Sequence, residues 1–216
     1  MAEPVKQQPA AGRTYGGRSH EERRELRRER LISGALEQFG TLGYEATTVK
    51  SICEAAGLTE RYFYEHFSSR LDCFEAVFEH AGVITAERSL SAAASAPMTL
   101  ALRVHAGLEG YLSALSESPE LARVLLIDAV GRSEKLERRR FELMRDFAAA
   151  IEREAVDLDP DADASVSDQA HAITLALVGG TNHLAVEWTR GDLRLTKSEL
   201  VDALASLYVA AADVGL

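Results

Sequence analysis

TTVKSICEAAGLTERYFYEHFSSR, residues 47–70, holds two short helical patterns on either side of one glycine. Thr47 or Thr48 supplies a capping hydroxyl, and Val49, Ile52, Cys53 and Ala56 then recur at helical spacing as one apolar stripe. Gly57 provides the conformational freedom that a tight turn between helices demands. Leu58 points inward, Thr59 caps a second helix running to about His66, and Phe63 and Phe67 share its inner face. Two helices this short enclose no core of their own. The spacing predicts a helix-turn-helix leaning on neighbours, its second helix presented to a DNA groove.

The outward residues of that second helix fit the task. Arginine (Arg61) suits bidentate contact with guanine, tyrosine offers a hydroxyl to phosphate and a ring to thymine methyl groups, and histidine donates to phosphate. A bland interpretation makes Tyr62 and Tyr64 core aromatics. Two tyrosines, two phenylalanines and a histidine within six residues exceed what one short helix buries.

Upstream, Ser19 and Glu22 have capping-box spacing, and Leu26, Ile32, Ala35, Leu36 and Phe39 follow as the stripe of a first helix ending near Gly40 to Gly43. Its arginines (23, 24, 27, 28, 30) alternate with glutamates (21, 22, 25, 29), the pattern of a solvated face laced with ion pairs. Residues 1–18, with two prolines, three glycines and three cations, predict a mobile arm, either a plain tail or one that reaches a minor groove.

These residues carry a resemblance. The pattern Thr-Thr-Val-x-x-Ile-x-x-x-Ala-Gly-Leu-Thr-x-x-x-Phe-Tyr-x-His-Phe-x-Ser-Arg, preceded by Phe39-Gly40 and Gly43-Tyr44, resembles the DNA-binding domain of the tetracycline-repressor-like (TetR) family over about residues 20–75. The resemblance implies that Thr48, Tyr64, His66 and Arg70 hold phosphates and that Lys50, Glu60, Arg61 and Tyr62 face the groove beside the cap Thr59. Two positions depart from the family pattern. Arg61 stands where a small residue or proline is common, which adds a base contact. Leu71 stands where an acidic residue often follows the basic one, which weakens the charge interaction expected at the start of the next helix.

The rest of the chain is helical by periodicity. Leu71, Phe74, Val77 or Phe78, Ala81 and Ile84 continue as a long linking helix to about Ala94, broken by Ser95-Ala-Pro97. Stripes follow at Leu100 to Leu115, at Leu121 to Asp128 ending near Gly131, and at Phe141 to Ala155, with an acidic loop at Asp157–Asp163. No alternating strand pattern competes. The fold class expected is all-α: a helix-turn-helix domain over 19–68, joined by the linking helix to a helical ligand-binding and dimerisation domain over 69–216.

Two features of the second part bear on function. Asp128 interrupts an apolar run and is either exposed late in a short helix or a polar anchor in a ligand cavity. Tyr111, Leu125, Met144 and Asn182 lie on segments that could line the same mostly apolar space. The Ser165 to Arg190 helix is apolar on two sides, and the last helix repeats this, so a partner chain is expected to cover one side of each. The expected dimer contacts are Leu177, Gly180, Leu184, Trp188, Leu204, Leu207 and Tyr208; which stripe of the first helix meets the partner is left open.

Charge permits a nucleic-acid partner despite a net of −10, because residues 1–70 hold 11 Lys+Arg against 10 Asp+Glu and the remainder 13 against 24. No run is apolar enough to span a bilayer and no secretory leader is present, so a cytoplasmic protein is expected, with Cys53 and Cys73 unpaired. His183 and Glu187, four apart, lack a third ligand, and nucleotide-binding and nucleophile motifs are missing; neither metal, cofactor nor catalysis is expected. The function expected is a homodimeric regulator, most often a repressor in the resembled family, that binds a palindromic DNA operator and is released by a small, mostly apolar molecule. A protein-interaction module and a DNA binder without effector are the alternatives.

Overall fold

The computed structural model describes residues 19–158 and 167–212, so the expected arm and most of the acidic loop lie outside the described residues. Among the described residues every regular element is helical: α1 (His20–Leu42), α2 (Val49–Ala56), α3 (Glu60–Tyr64), α4 (Arg70–Ser95), α5 (Leu100–Glu117), α6 (Pro119–Ala122), a π-helical segment (Arg123–Asp128), α7 (Glu134–Leu158), α8 (Asp168–Arg190) and α9 (Lys197–Ala212). The fold is all-α, as the periodicity indicates.

The helix starts follow from their caps. Ser19 and Glu22 form the reciprocal box that opens α1, and Thr48 pairs with Ser51 in the same way at α2. Gly57 adopts φ 62° and ψ 39°, the left-handed conformation that ends α2 without side-chain strain. Arg30 on α1 staples the turn, donating to Ala56 O at 2.7 Å and Gly57 O at 3.2 Å. At α4, the serine cap Ser69 accepts from Asp72 N–H while Asp72 accepts from Ser68 N–H at 2.8 Å. The acidic group missing at Leu71 is therefore supplied one residue later, and the first turn of α4 keeps its favourable charge.

One apolar core runs from α1–α3 into the later helices. Leu31, Phe39, Ile52, Phe63, Phe74, Val77 and Phe78 are buried and continuous with Leu112, Leu115, Val124, Leu136 and Leu200. Cys53 and Cys73 are both free and buried within it, and burial pushes each thiol up from its ordinary range. Phe39, Tyr44 and Phe74 form an aromatic joint between α1, the loop after it and α4, with ring centroids 5.0–5.6 Å apart.

α1 also meets α6 directly. At Gly40 an added Cβ would lie 2.1 Å from Glu120 Cβ, so only glycine lets α1 approach α6 this closely. α4 and α5 run antiparallel, with Ser89 Oγ donating to Gly107 O, and α7 runs alongside α4 through Lys135–Glu75 and Arg139–Glu79 ion pairs.

Candidate functional site

The outer surface of α2 and α3 exposes Thr48, Lys50, Thr59, Glu60, Arg61 and Tyr64. Thr48 is fixed by its capping bonds, whereas Thr59 makes no side-chain bond to the turn it precedes. Lys50 lies 3.9 Å from Glu54, and Arg61 is 3.3 Å from Glu65 with its side chain 85% exposed. Such pairs on one turn of exposed helix hold little energy, so both cations are free to exchange their carboxylates for DNA.

The other predicted DNA contacts are placed differently. Tyr62 is half-buried beneath the Arg27 guanidinium, 4.8 Å from its ring centroid. His66 is half-buried, its Nε2 closed off without a partner among the described residues, and its pKa is lowered by burial and by Arg24, Arg27 and Arg28, against a smaller opposing effect of Glu65. Arg70 donates to Thr47 O at 2.5 Å and lies over the Tyr44 ring at 4.3 Å. Its guanidinium ties the loop before α2 to the start of α4, so the structure gives it a scaffolding task that spacing alone did not reveal.

Tyr44 is the hub of this loop. Its ring also carries Arg132 at 4.1 Å, and its backbone N–H donates to Asp128 Oδ2 at 2.9 Å. Arg123 adds a bond to Thr41 O and sits 3.5 Å from Asp128, while Arg132 pairs with Glu45. The cavity role offered for Asp128 is therefore corrected: its carboxylate turns toward the loop after α1 and accepts from the Tyr44 N–H there. The π-helical turns explain the change, since widening the helix by one residue per turn rotates Asp128 away from the side that Leu125 occupies.

A cavity of about 150 Å³ lies between α4, α5, α7, α8 and α9. Tyr111, Leu125, Met144 and Asn182 line it, with Phe78, Leu90, Val104, Phe147, Ile151 and Val178 supplying more of its apolar wall. Burial raises the Tyr111 hydroxyl above the ordinary tyrosine range. Its polar groups include Arg103, paired with Glu154 across the wall, and Arg140. The sequence left these out because a lone arginine within a helical stripe reads as a solvated position.

The residues expected at a dimer contact divide. Leu204 and Tyr208 are buried in their own chain, and Tyr208 lines the cavity and shares a hydrogen bond with Thr181 at 3.2 Å. They face inward because α9 packs one side on α5, so both are removed from the outer face. Trp188 is half-buried and donates Nε1–H to Leu195 O at 2.9 Å, and Leu177 and Leu184 pack partly on the core. Gly180 is exposed with nothing within 4 Å of an added Cβ, and Leu207 is 55% exposed.

Among the described residues no three His, Cys, Asp or Glu side chains gather as metal ligands would, and no helix is long and apolar enough to cross a membrane. Residues 31–77 match the family model described as bacterial regulatory proteins, tetR family. The chain is 38% identical over 154 residues to the HTH-type transcriptional regulator TcmR of Streptomyces glaucescens, covering 64% of this chain and 66% of TcmR. The chain belongs to the tetR family of transcriptional regulators.

A second tetR-family comparison is shorter: the HTH-type transcriptional activator FasR of Mycolicibacterium smegmatis is 37% identical over 71 residues, 33% of this chain and 31% of FasR. The match thus spans about two thirds of one relative and a third of the other. The regulator FadR from Bacillus subtilis, solved in complex with stearoyl-CoA, superposes with a TM-score of 0.69 over 85% of this chain and 98% of its own, at 17% identity. What is shared at that identity is the fold. The exposed surface of α2 and α3, within the residues that match the family model, is the candidate nucleic-acid interface.

Proposed function

We propose that this regulator is a repressor that acts as a homodimer, grips a palindromic operator through two copies of the α2–α3 surface, and lets go when a small, mostly apolar molecule fills the cavity. The division into a DNA-reading head over 19–68 and an effector-binding and dimerising body over 69–216 belongs to the same proposal. Thr48 and Tyr64 hold phosphate, Lys50, Glu60 and Arg61 meet the groove, and Tyr62, His66 and Arg70 act beneath them as supports that also approach the backbone.

The observation that carries the reading is the π-helical segment. Leu125 forms part of the cavity wall, and within three residues of it Arg123 and Asp128 hold the loop from Thr41 to Tyr44. A molecule that displaces Leu125 shifts the residues that position the head. Its affinity for the two head positions must differ for this to work, and the coupling is reciprocal, typically about 1–3 kcal/mol.

The dimer draws support from the outer faces of the last two helices. Ala172, Ala176 and Gly180 on α8 and Ala203, Leu207 and Ala210 on α9 are exposed, a run of small and apolar groups that permits close helix approach. Cytoplasmic residence follows from the same function. The apolar wall here suits an effector that carries a hydrocarbon chain, as the stearoyl-CoA held by FadR does.

The test is fluorescence anisotropy with DNA flanking the protein's own coding region, at two salt concentrations, with and without candidate molecules. Expected are specific binding that weakens with salt, two protomers per site, and release by a compound that also raises Tm. Binding that no cavity-filling compound alters would leave a DNA binder without an effector.

A further inference from the structure

The polar groups in the cavity wall are not equivalent. Arg140 donates to Glu137 at 2.8 Å, and Glu137 is itself held by the Gly131 N–H at 2.6 Å, so that carboxylate is locked in place. Arg103 pairs with Glu154, which makes no other hydrogen bond among the described residues. The arginine side chain is 15% exposed and the glutamate 31%. Arg103 Nε is shut from solvent with no acceptor among the described residues, so the guanidinium is left one acceptor short. A buried charged donor in that state favours any second acceptor that reaches it.

The wall also has length. Between Arg140 and Glu154, α7 lines the cavity over fourteen residues, and α4 does so between Phe78 and Ala93. At 1.5 Å per residue each stretch is roughly 20 Å long. A volume of about 150 Å³ drawn out along it is narrow. Leu90, 48% exposed yet part of the wall, marks an open side at the same end as Arg103.

We propose that the effector is a slender hydrocarbon molecule ending in one carboxylate or comparable anionic group, which takes Arg103 from Glu154. The acid bridges Nε and a terminal nitrogen of the guanidinium, the two-point contact that planar oxyanions make with arginine. Glu154, the more exposed partner, swings toward water and carries its charge there. A cationic ligand on Glu154 is disfavoured because Arg103 cannot withdraw in the same way. The inference rests on the cavity being the effector site, and deepens it by naming the effector's chemistry.

Isothermal titration of the full chain with decanoic acid, 1-decanol and decylamine tests it, with circular-dichroism melts confirming that each variant folds. The acid is expected to bind at least about tenfold more tightly than the alcohol, the effect of one charge-assisted hydrogen bond, with the amine weakest. Arg103→Gln should erase the acid's advantage and leave the alcohol unchanged. Glu154→Gln should tighten the acid, since the competing carboxylate is gone. An acid advantage that survives Arg103→Gln, weaker acid binding in Glu154→Gln, or an amine as tight as the acid overturns the proposal. Equal binding of acid and alcohol rejects the anionic end while the cavity stands as a ligand site. No binding by any of the three rejects both.

Discussion

The backbone N–H of Tyr44 donates to the carboxylate of Asp128 at 2.9 Å, tying the loop after α1 to the end of the π-helical segment 84 residues later. Among the described residues it works with the Arg123–Thr41 and Arg132–Glu45 bonds to join the two parts away from the linking helix. Asp128→Ala leaves that N–H without its acceptor and should cost about 1–3 kcal/mol of stability. Asp128→Asn keeps one acceptor oxygen and should cost less. Thermal denaturation measures both, and anisotropy should show Asp128→Ala binding DNA with a smaller response to effector than the wild type.

Arg61 and Arg70 should fail in different ways. Arg61→Ala removes an exposed side chain whose partner is a weak helical pair, so Tm should stay put while operator affinity falls by about 1–3 kcal/mol at one base pair. Arg70→Ala loses the bond to Thr47 O and the contact with the Tyr44 ring. It should lower Tm and weaken every DNA sequence alike. A uniform loss from Arg61→Ala would refute its base-reading role.

Glycine substitutions separate packing inside the chain from packing between chains. Gly40→Ala drives a methyl group into Glu120 backbone and Cβ, and should destabilise by about 1–3 kcal/mol or more. Gly180→Ala meets nothing in its own chain and should stabilise the helix by about 1 kcal/mol. In the proposed dimer the same methyl group separates the facing helices. Sedimentation should therefore show weaker self-association alongside the higher helix stability, and an unaltered dimer would place the interface elsewhere.

His66 gives a pH dependence with a defined sign. Burial first, and Arg24, Arg27 and Arg28 next, hold its folded pKa below the ordinary value of 6.5, against the opposing Glu65 carboxylate. Asp72, Glu75, Glu79, Lys135 and Arg139 share the cleft it borders. The unfolded chain takes up the proton first, so this contribution is complete above 6.5 and is lost as pH falls toward and through the lowered value. The Tm of His66→Gln should decline less steeply than the wild type on acidification from neutrality.

Local pattern was enough to read the helical class, the helix-turn-helix and most of its caps. Those depend on local spacing: Ser19 with Glu22, Thr47 or Thr48 with its helix, Gly57 at the turn, and stripes recurring every three or four residues. It also selected four of the five cavity residues, because an apolar stripe must face some interior. The rest depends on contacts between distant parts of the chain. Asp128 reads from the sequence as a polar residue in an apolar run, and only the π-helical turns beneath it turn that carboxylate toward Tyr44. Tyr208 and Leu204 read as one side of a two-sided helix, and only the packing of α9 on α5 sends them inward and leaves Leu207 outside. Arg70 and Arg103 look like surface cations until the loop carbonyls and the carboxylate that face them are brought from distant parts of the chain. Periodicity records which side of a helix is covered, but the identity of what covers it depends on residues far away in sequence.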